Sequence, residues 1–447
     1  MPDRLRLRVH LGGGARALVI QAFRRLTRGR FGRLVLPAVV LQSVLVGGGY
    51  ATGRESVAYG ARYGGRGWMA VLTIFVGFTV VSFLTFEIAR RYRTYEYKAF
   101  IRQLIGRAWP AFDLVYVAMA ILVIAVVASA AANILQETLG LPSILGAALV
   151  ILAVASLLYF GADVIEAFKS LGTILLYVAY LLFGALVLGN RWPDVVRALS
   201  GGGAGTVAHG GVVAGVVASS AGAPTLAVVG TGIVYVGYNL AVYPAVLFTL
   251  HRQTERRETA VAALLSGFLM TLPFALTWLC LLAFYPSAEV FDAPVPWLHM
   301  LQDVGGTALF ALFGIVMGWT LLETSVGLIH ALVDRIDADL RHASPDPPGR
   351  TGREGEAAEP GGLSPAASGL LGGGILLVAA VLSRVGIIAL VARGYTWMGY
   401  AFIAVFALPL LTVGVWKTLG PGGRVPAVTA RSVESGATGE SAGSRVD

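Results

Sequence analysis

Residues 40–56 read VLQSVLVGGGYATGRES, and this stretch decides how the rest of the chain is interpreted. An apolar helical run meets three consecutive glycines at 47–49. Each glycine inside a helix costs about 1 kcal/mol relative to alanine, so the triplet predicts an interrupted helix. Arg54 and Glu55 follow at once. Three interpretations of these two residues are open. They form an ion pair, they gate the outer mouth of the protein, or they mark the point where the helix reaches water.

A second stretch of the same character lies at residues 228–246, VVGTGIVYVGYNLAVYPAV. Its glycines are followed by Asn239 and then by Pro244, which removes a backbone donor and crowds the preceding turn. This pattern predicts a second interrupted helix.

The composition identifies the solvent around these helices as lipid. Of the 447 residues 56% are hydrophobic and 13% are charged, against about 25% charged in a typical soluble domain. A membrane-spanning helix needs roughly 20 apolar residues, and the chain offers about ten such runs. We therefore predict an all-α polytopic membrane protein of about ten transmembrane helices.

The predicted spans follow one another closely. They are numbered 1 to 10 and cover residues 34–62, 67–89, 110–137, 142–160, 163–188, 225–250, 258–284, 305–333, 367–391 and 396–417. Segment 207–222 is also apolar, but it is short and rich in glycine, and we interpret it as part of an outer loop. The two interrupted helices are then spans 1 and 6, as two five-helix repeats of opposite topology would place them.

Basic residues set the orientation. Residues 4–33 contain nine arginines and no acidic residue, and further clusters lie in 90–107 and 251–258. Loops rich in Arg and Lys stay in the cytoplasm, so both termini are predicted to be cytoplasmic, in the inner membrane of a bacterial cell. The predicted outer loops contain Arg62, Arg66, Arg191, Arg197 and Arg393.

The chain accordingly divides into five parts. We predict a basic cytoplasmic segment (1–33), a first five-helix repeat (34–189), an extracellular connection (190–224), a second repeat (225–419) that contains a disordered cytoplasmic linker (338–364), and a disordered tail (420–447).

Interrupted helices at membrane depth point to a binding site, because unwound backbone survives there only where it lines a cavity or is buried in protein. Freed backbone groups at such breaks bind solutes and ions in transporters. The solute site is predicted from the polar residues beside the two breaks, namely Gly48, Gly49, Thr52, Tyr235, Gly237 and Asn239. The alternative is that the glycines only let helices pack closely.

Several motifs together resemble the YkvI-like membrane proteins of bacteria. They are GGGYATGRE (47–55), YVGYN (235–239), PVPWLHML (294–301), ETSVGLIHALVDRI (323–336) and ARGYTWMGYAFIAVFALPLLTVGVWK (392–417). That family is similar to the LeuT-fold transporters of the amino acid–polyamine–cation superfamily. The resemblance implies a 5+5 inverted repeat with a central site between spans 1, 3, 6 and 8.

The resemblance also implies a place for a coupling ion. In sodium-coupled members of the superfamily, adjacent hydroxyls of span 8 bind sodium together with carbonyls of span 1. The matching positions here are Thr324 and Ser325, with Gly47 and Thr52. Alternatively, these hydroxyls bond back to their own helix. A proton-coupled protein would instead use Glu55, Glu323 or Lys169.

The function predicted from these features is secondary transport of a small solute, an amino acid or a related amine or zwitterion, coupled to sodium or protons. The alternative is a membrane sensor or scaffold that keeps the fold without transporting. We expect no enzyme, because no nucleophile elbow or phosphate-binding loop is visible. Beyond a possible sodium ion we expect no cofactor or metal centre, and we expect the positive charge to serve topology rather than nucleic-acid binding.

The orientation can be tested with single cysteines in a Cys280→Ala background. A thiol at Thr254→Cys should resist an impermeant reagent added to intact cells, because the 251–258 loop is predicted to be cytoplasmic. A thiol at Glu289→Cys, in the predicted outer segment 285–303, should react. Labelling at position 254 from outside would contradict the ten-span topology.

Overall fold

The computed structural model describes residues 29–47, 50, 52–160, 162–201, 223–343 and 365–419. The regular structure within these residues is helical throughout. The N-terminal 28 residues, most of the 190–224 connection, the end of the 338–364 linker and the tail lie outside the described residues, as does the apolar segment 207–222.

The first five spans follow the predicted order. Span 1 consists of the helices Arg30–Leu34 and Leu36–Leu45 and the short helix Arg54–Tyr59. The break lies between Leu45 and Arg54, and residues 48, 49 and 51 within it are outside the described residues. Spans 2 to 5 comprise the helices Trp68–Tyr92, Trp109–Leu139, Ser143–Phe160 and Ala162–Leu199. The helix Tyr97–Ile105 joins spans 2 and 3, and the chain of span 5 kinks at Arg191.

The second five spans begin with the α-helix Thr225–Asn239, which continues directly into the 3₁₀ helix Leu240–Arg252 to form span 6. Span 7 is Arg256–Leu282, and the short helix Ala288–Phe291 follows it. Span 8 belongs to Pro296–Ala343, which kinks at Gly306, and span 9 is Pro365–Ser383. Span 10 runs from 387 to 419 and contains three π-helical segments.

Each predicted span coincides with a helix, and the all-α membrane fold is confirmed. Six described helices are long and apolar enough to cross a membrane, and three further apolar helices are shorter. Several boundaries were wrong. The helix of span 5 continues to Leu199, past the predicted start of the connection at 190. Span 9 ends at Ser383 and a turn separates it from span 10, whereas the prediction carried it to residue 391. The helix of span 8 continues to Ala343, past the predicted start of the linker at 338.

The predicted interruption is present in span 1 but takes a different form in span 6. Asn239 and Leu240 both keep right-handed helical dihedral angles, and the chain tightens from α to 3₁₀ without unwinding. Pro244 lies within this 3₁₀ segment. Two glycines of span 6, Gly232 and Gly237, serve packing. A β-carbon at Gly232 would lie 2.8 Å from Thr73 of span 2, so the small residue allows close approach of the neighbouring helix.

The helices pack in two groups. Spans 1 and 2 each contact spans 6 and 7, and spans 3, 4, 8 and 9 contact one another, while span 5 packs on spans 7 and 8 and span 10 on spans 3 and 6. Several of these contacts recur when each span of the first half is exchanged with the fifth span after it. The contact of span 2 with span 6 is matched by that of span 7 with span 1, and the contact of span 3 with span 9 by that of span 8 with span 4.

The close packing of spans 2 and 6 can be tested with two matched glycines. Gly232→Ala should destabilise the protein by about 1–3 kcal/mol, because its β-carbon would also press on the backbone oxygen of Ala70, 3.0 Å away. Gly230→Ala, two residues earlier and with nothing within 4 Å of its β-carbon, should be neutral or slightly stabilising.

Thermal unfolding of the purified protein measures this difference. Cys280 is the only cysteine in the chain and is fully buried, so a thiol-reactive dye reports its exposure on unfolding. Equal unfolding temperatures for the two variants would show that spans 2 and 6 do not approach as closely as described.

Candidate functional site

A cavity of about 120 Å³ lies beside the break in span 1. Its walls come from spans 1, 3, 6, 8 and 10, so both halves of the chain contribute. It is lined by Gly47 and by the polar and aromatic residues Tyr50, Glu55, Tyr116, Tyr238, Asn239, Thr324 and Tyr395. Apolar residues complete the wall, among them Met119, Val123 and Leu328. The cavity extends from the break toward the predicted cytoplasmic ends of the spans.

The conformation of Gly53 and two hydrogen bonds to Thr52 fix the backbone at the break. Gly53 adopts a left-handed conformation with φ of 83°, and a β-carbon there would lie 2.9 Å from Trp297 Cδ1. The hydroxyl of Thr52 accepts a hydrogen bond from the amide of Arg54 at 3.2 Å, and the carbonyl of Thr52 accepts one from the amide of Trp297 at 3.4 Å. Helix 54–59 therefore restarts in a direction fixed by these contacts.

The predicted outer side of the cavity is closed by the segment between spans 7 and 8. The guanidinium of Arg54 donates hydrogen bonds to the carbonyls of Phe291 at 2.5 Å and Ala293 at 3.2 Å. Arg54 is only 4% exposed, and Trp297 is fully buried beside it. Residues 291–297, which we call the outer strap, are thus fixed to span 1 by a buried, charge-assisted contact, the stronger class of hydrogen bond.

Glu55 points the other way, into the cavity. Its carboxylate is 4% exposed and accepts a hydrogen bond from the hydroxyl of Tyr238. The ring of Tyr238 lies 4.8 Å from that of Tyr395 and 5.5 Å from that of Tyr59. Arg54 and Glu55 are therefore neighbours in sequence that do not pair: one fixes the outer strap and the other faces the interior.

The predicted solute-site residues separate in the structure. Asn239 lines the cavity, and its side-chain amide donates to the carbonyl of Tyr235 one turn earlier at 2.8 Å. Tyr235 and Thr52 are fully buried and lie behind the cavity wall. Gly237 faces span 10 instead, where a β-carbon would lie 2.8 Å from the carbonyl of Gly399, so its position serves helix packing. Gly48 and Gly49 lie outside the described residues.

The predicted coupling-ion residues come together only in part. Thr324 lines the cavity beside Gly47, whose β-carbon would lie 3.3 Å from Thr324 Cγ2. The hydroxyl of Thr324 donates to the carbonyl of Thr320 at 2.9 Å, the helix back-bond that we weighed as the alternative. Ser325 is buried away from the cavity lining, and the hydroxyl of Thr52 caps the helix at Arg54.

Of the three predicted proton carriers only Glu55 faces the cavity. Glu323 is partly buried on span 8 and does not belong to the cavity lining. The side chain of Lys169 lies outside the described residues. Among the described residues no group of three or more His, Cys, Asp or Glu side chains could hold a metal ion.

Several site residues escaped the sequence analysis. Tyr116 and Met119 of span 3 line the cavity without any local signal, because each lies in an apolar run. Tyr395 of span 10 lies in the motif 392–417, so it was visible as part of the resemblance but not as a cavity residue. Trp297 lies within the motif PVPWLHML, so it was visible as part of the resemblance but not as the residue that covers the break.

Comparison with known proteins gives a fold likeness and no family. No protein-family model matches the chain, and no curated protein does. Among solved structures it is similar to a manganese transporter from Eremococcus coleocola, with 14% identity, a TM-score of 0.43 and 90% of each chain covered. It is also similar to a Na⁺-coupled sialic acid symporter, with 13% identity, a TM-score of 0.42 and 86% of each chain covered. Similarity at this level says nothing of what this chain binds, and the resemblance to the YkvI-like proteins stays a prediction.

The contact between the outer strap and span 1 can be tested by removing the hydrogen bonds that Arg54 donates to the strap. In a Cys280→Ala background, Thr52→Cys places a thiol at a fully buried position under Trp297. Adding Arg54→Met removes the donor to both strap carbonyls, each bond to a charged group being worth about 1.5–3 kcal/mol. We expect an impermeant thiol reagent to label position 52 at least about tenfold faster as a result.

Arg62→Met is the matched control, because the guanidinium of Arg62 bonds to its neighbour Tyr63 and not to the strap. Its labelling rate should equal that of the Thr52→Cys protein alone. Equal rates in the Arg54 and Arg62 variants would show that Arg54 does not hold the outer side closed.

Proposed function

We propose that this protein is a secondary transporter that moves a small solute across the membrane by alternating access. The observation that supports this most directly is the cavity at the break in span 1. It lies where the two halves of the chain meet, and the outer strap is bonded to the helix that follows the break. Binding sites of this kind, at the interface of repeats and beside discontinuous helices, are typical of secondary transporters.

The pairing of helix contacts supports the 5+5 inverted repeat that the resemblance implies. An odd number of spans per repeat inverts the second copy, so the two helix groups can rock against each other around a site between them. In this proposal the repeats are residues 34–189 and 225–419. The two groups meet at the cavity, so such a motion would change which side it opens to.

The solute we propose is an amino acid or a related amine or zwitterion. The cavity has room for on the order of ten water-sized groups. Its one carboxylate, a few hydroxyls and an amide are set among aromatic and aliphatic side chains, the usual composition of a small-molecule site. The competing function is a membrane sensor or scaffold, which would bind a solute in the same cavity without moving it.

The coupling ion we propose is sodium, with a proton as the alternative. Sodium binds hydroxyl and carbonyl oxygens, and Thr324 lies against the end of the first half of span 1 at Gly47. A helix break leaves carbonyls without amide partners nearby. Glu55 is the residue through which a proton would act, because it is the titratable carboxylate on the cavity wall.

Uptake into proteoliposomes tests both parts of this proposal. With a panel of amino acids and amines, at least one solute should accumulate when a sodium gradient is imposed, and replacing sodium by potassium at constant pH should abolish accumulation. Thr324→Ala should raise the sodium concentration for half-maximal uptake several-fold by removing an oxygen ligand. Thr412→Ala, which removes a similarly back-bonded hydroxyl from the exposed face of span 10, should leave that concentration unchanged.

Full accumulation in potassium under a pH gradient would overturn sodium coupling and identify the proton as the coupling ion. No accumulation of any solute under either gradient, with solute binding retained, would favour the sensor.

A further inference from the structure

Glu55 is a buried carboxylate without a fixed counter-charge. Its partner is the neutral hydroxyl of Tyr238, and no Arg, Lys or His among the described residues forms an ion pair with it. An uncompensated charge in a protein interior costs several kcal/mol. The chain therefore keeps, in the middle of its cavity wall, a group whose negative charge would be stabilised by a positively charged ligand.

The cationic residue nearest to Glu55 in sequence forms its hydrogen bonds with the outer strap. Arg54 donates to the carbonyls of Phe291 and Ala293 in the outer strap, next to the carboxylate of Asp292. The described residues that line the cavity include no Arg, Lys or His. Glu55 is thus the one formally charged group among the described residues of the cavity wall.

Aromatic rings surround the same space. Tyr50, Tyr116, Tyr238 and Tyr395 line the cavity together with Glu55, and an ammonium group over a tyrosine face gains about 0.5–2 kcal/mol by cation–π attraction. The hydroxyl of Tyr50 is buried and makes no hydrogen bond with a described residue. A carboxylate among several tyrosines is a chemical environment that recognises an organic ammonium ion.

We infer that the cavity binds a small organic cation, with Glu55 as its counter-charge and the tyrosines around its ammonium group. This inference rests on the proposed function and names its substrate class. The ammonium group lies between Glu55 and the rings of Tyr238 and Tyr395. Its alkyl part lies toward Met119, Val123 and Leu328 of spans 3 and 8, which form the apolar wall.

The residues that line the cavity favour an organic cation over an anion, a zwitterion or a metal ion. An anionic solute would meet the Glu55 carboxylate and no cationic side chain, and a zwitterion would bring a carboxylate that finds no positive side chain in the described wall. Divalent ions such as Ca²⁺ and Mg²⁺ take six or more oxygen ligands, whereas this wall is mostly aromatic and aliphatic. A monocationic amine satisfies Glu55 and leaves no charge of its own unpaired.

Four probes of similar shape and different charge test the inference. They are isobutylammonium, valine, isobutanol and isovalerate, which carry a positive charge, both charges, no charge and a negative charge. Binding is read from the rise in unfolding temperature of the purified protein at constant sodium chloride, with the thiol of Cys280 as the reporter. A ligand that binds only the folded state raises that temperature with concentration.

Isobutylammonium should stabilise the native protein at concentrations where isobutanol and isovalerate do not, and more strongly than valine. Glu55→Gln keeps the shape and a hydrogen-bond acceptor for Tyr238 but removes the charge, so it should raise the dissociation constant of isobutylammonium at least about tenfold. Glu87→Gln is the control, since Glu87 is equally buried but pairs with Arg90 at 2.7 Å. The dissociation constant of isobutylammonium for the Glu87→Gln protein should equal that for the native protein.

Three results would overturn the inference: stabilisation by valine or isovalerate but not by isobutylammonium, no stabilisation by any probe, or equal affinity of the native and Glu55→Gln proteins for isobutylammonium. A variant that fails to fold gives no unfolding transition of Cys280, and Glu55→Asp then replaces it, with an intermediate affinity expected. Binding of valine or isovalerate alone would leave the proposed transport function in place and remove only the cationic class.

Discussion

Unwound backbone inside a membrane protein must find all of its hydrogen-bond partners within the protein, and the break in span 1 shows how this constraint shapes the rest of the molecule. The partners come from outside span 1 as well as from within it. The amide of Arg54 donates a hydrogen bond to the hydroxyl of Thr52, and the amide of Trp297 donates one to the carbonyl of Thr52. The outer strap is therefore required by the break, because it supplies partners that lipid cannot supply.

The same constraint explains why spans 1 and 6 differ. In span 6 the chain continues as a 3₁₀ helix beyond Asn239, which keeps backbone groups paired along the segment that holds Pro244. Its residues Gly232 and Gly237 then serve as contact points for spans 2 and 10. Span 6 contributes a rigid wall to the cavity, with Tyr238 and Asn239 as its polar edge, while the unwinding is concentrated in span 1.

The sequence was informative about the number, order and apolar character of the spans, because about twenty consecutive apolar residues have few stable alternatives to a transmembrane helix. It also located the first break, since three adjacent glycines have a large and local effect. It was less informative about the cavity. Gly237 and Tyr395 illustrate why: the role of each depends on which helix lies opposite, and that is set by packing between distant parts of the chain. Glycines that break a helix and glycines that admit a neighbour look alike in sequence.

Arg54 and Glu55, the two charged residues after the break, are adjacent in sequence but contact different parts of the fold. Arg54 and Glu55 occupy the first turn of the helix 54–59, and successive residues of a helix point about 100° apart. The helix therefore directs one charge to the outer strap and the other to the cavity wall. Because Arg54 and Glu55 lie in one helical turn, the contact with the outer strap and the carboxylate on the cavity wall are positioned by the same short segment.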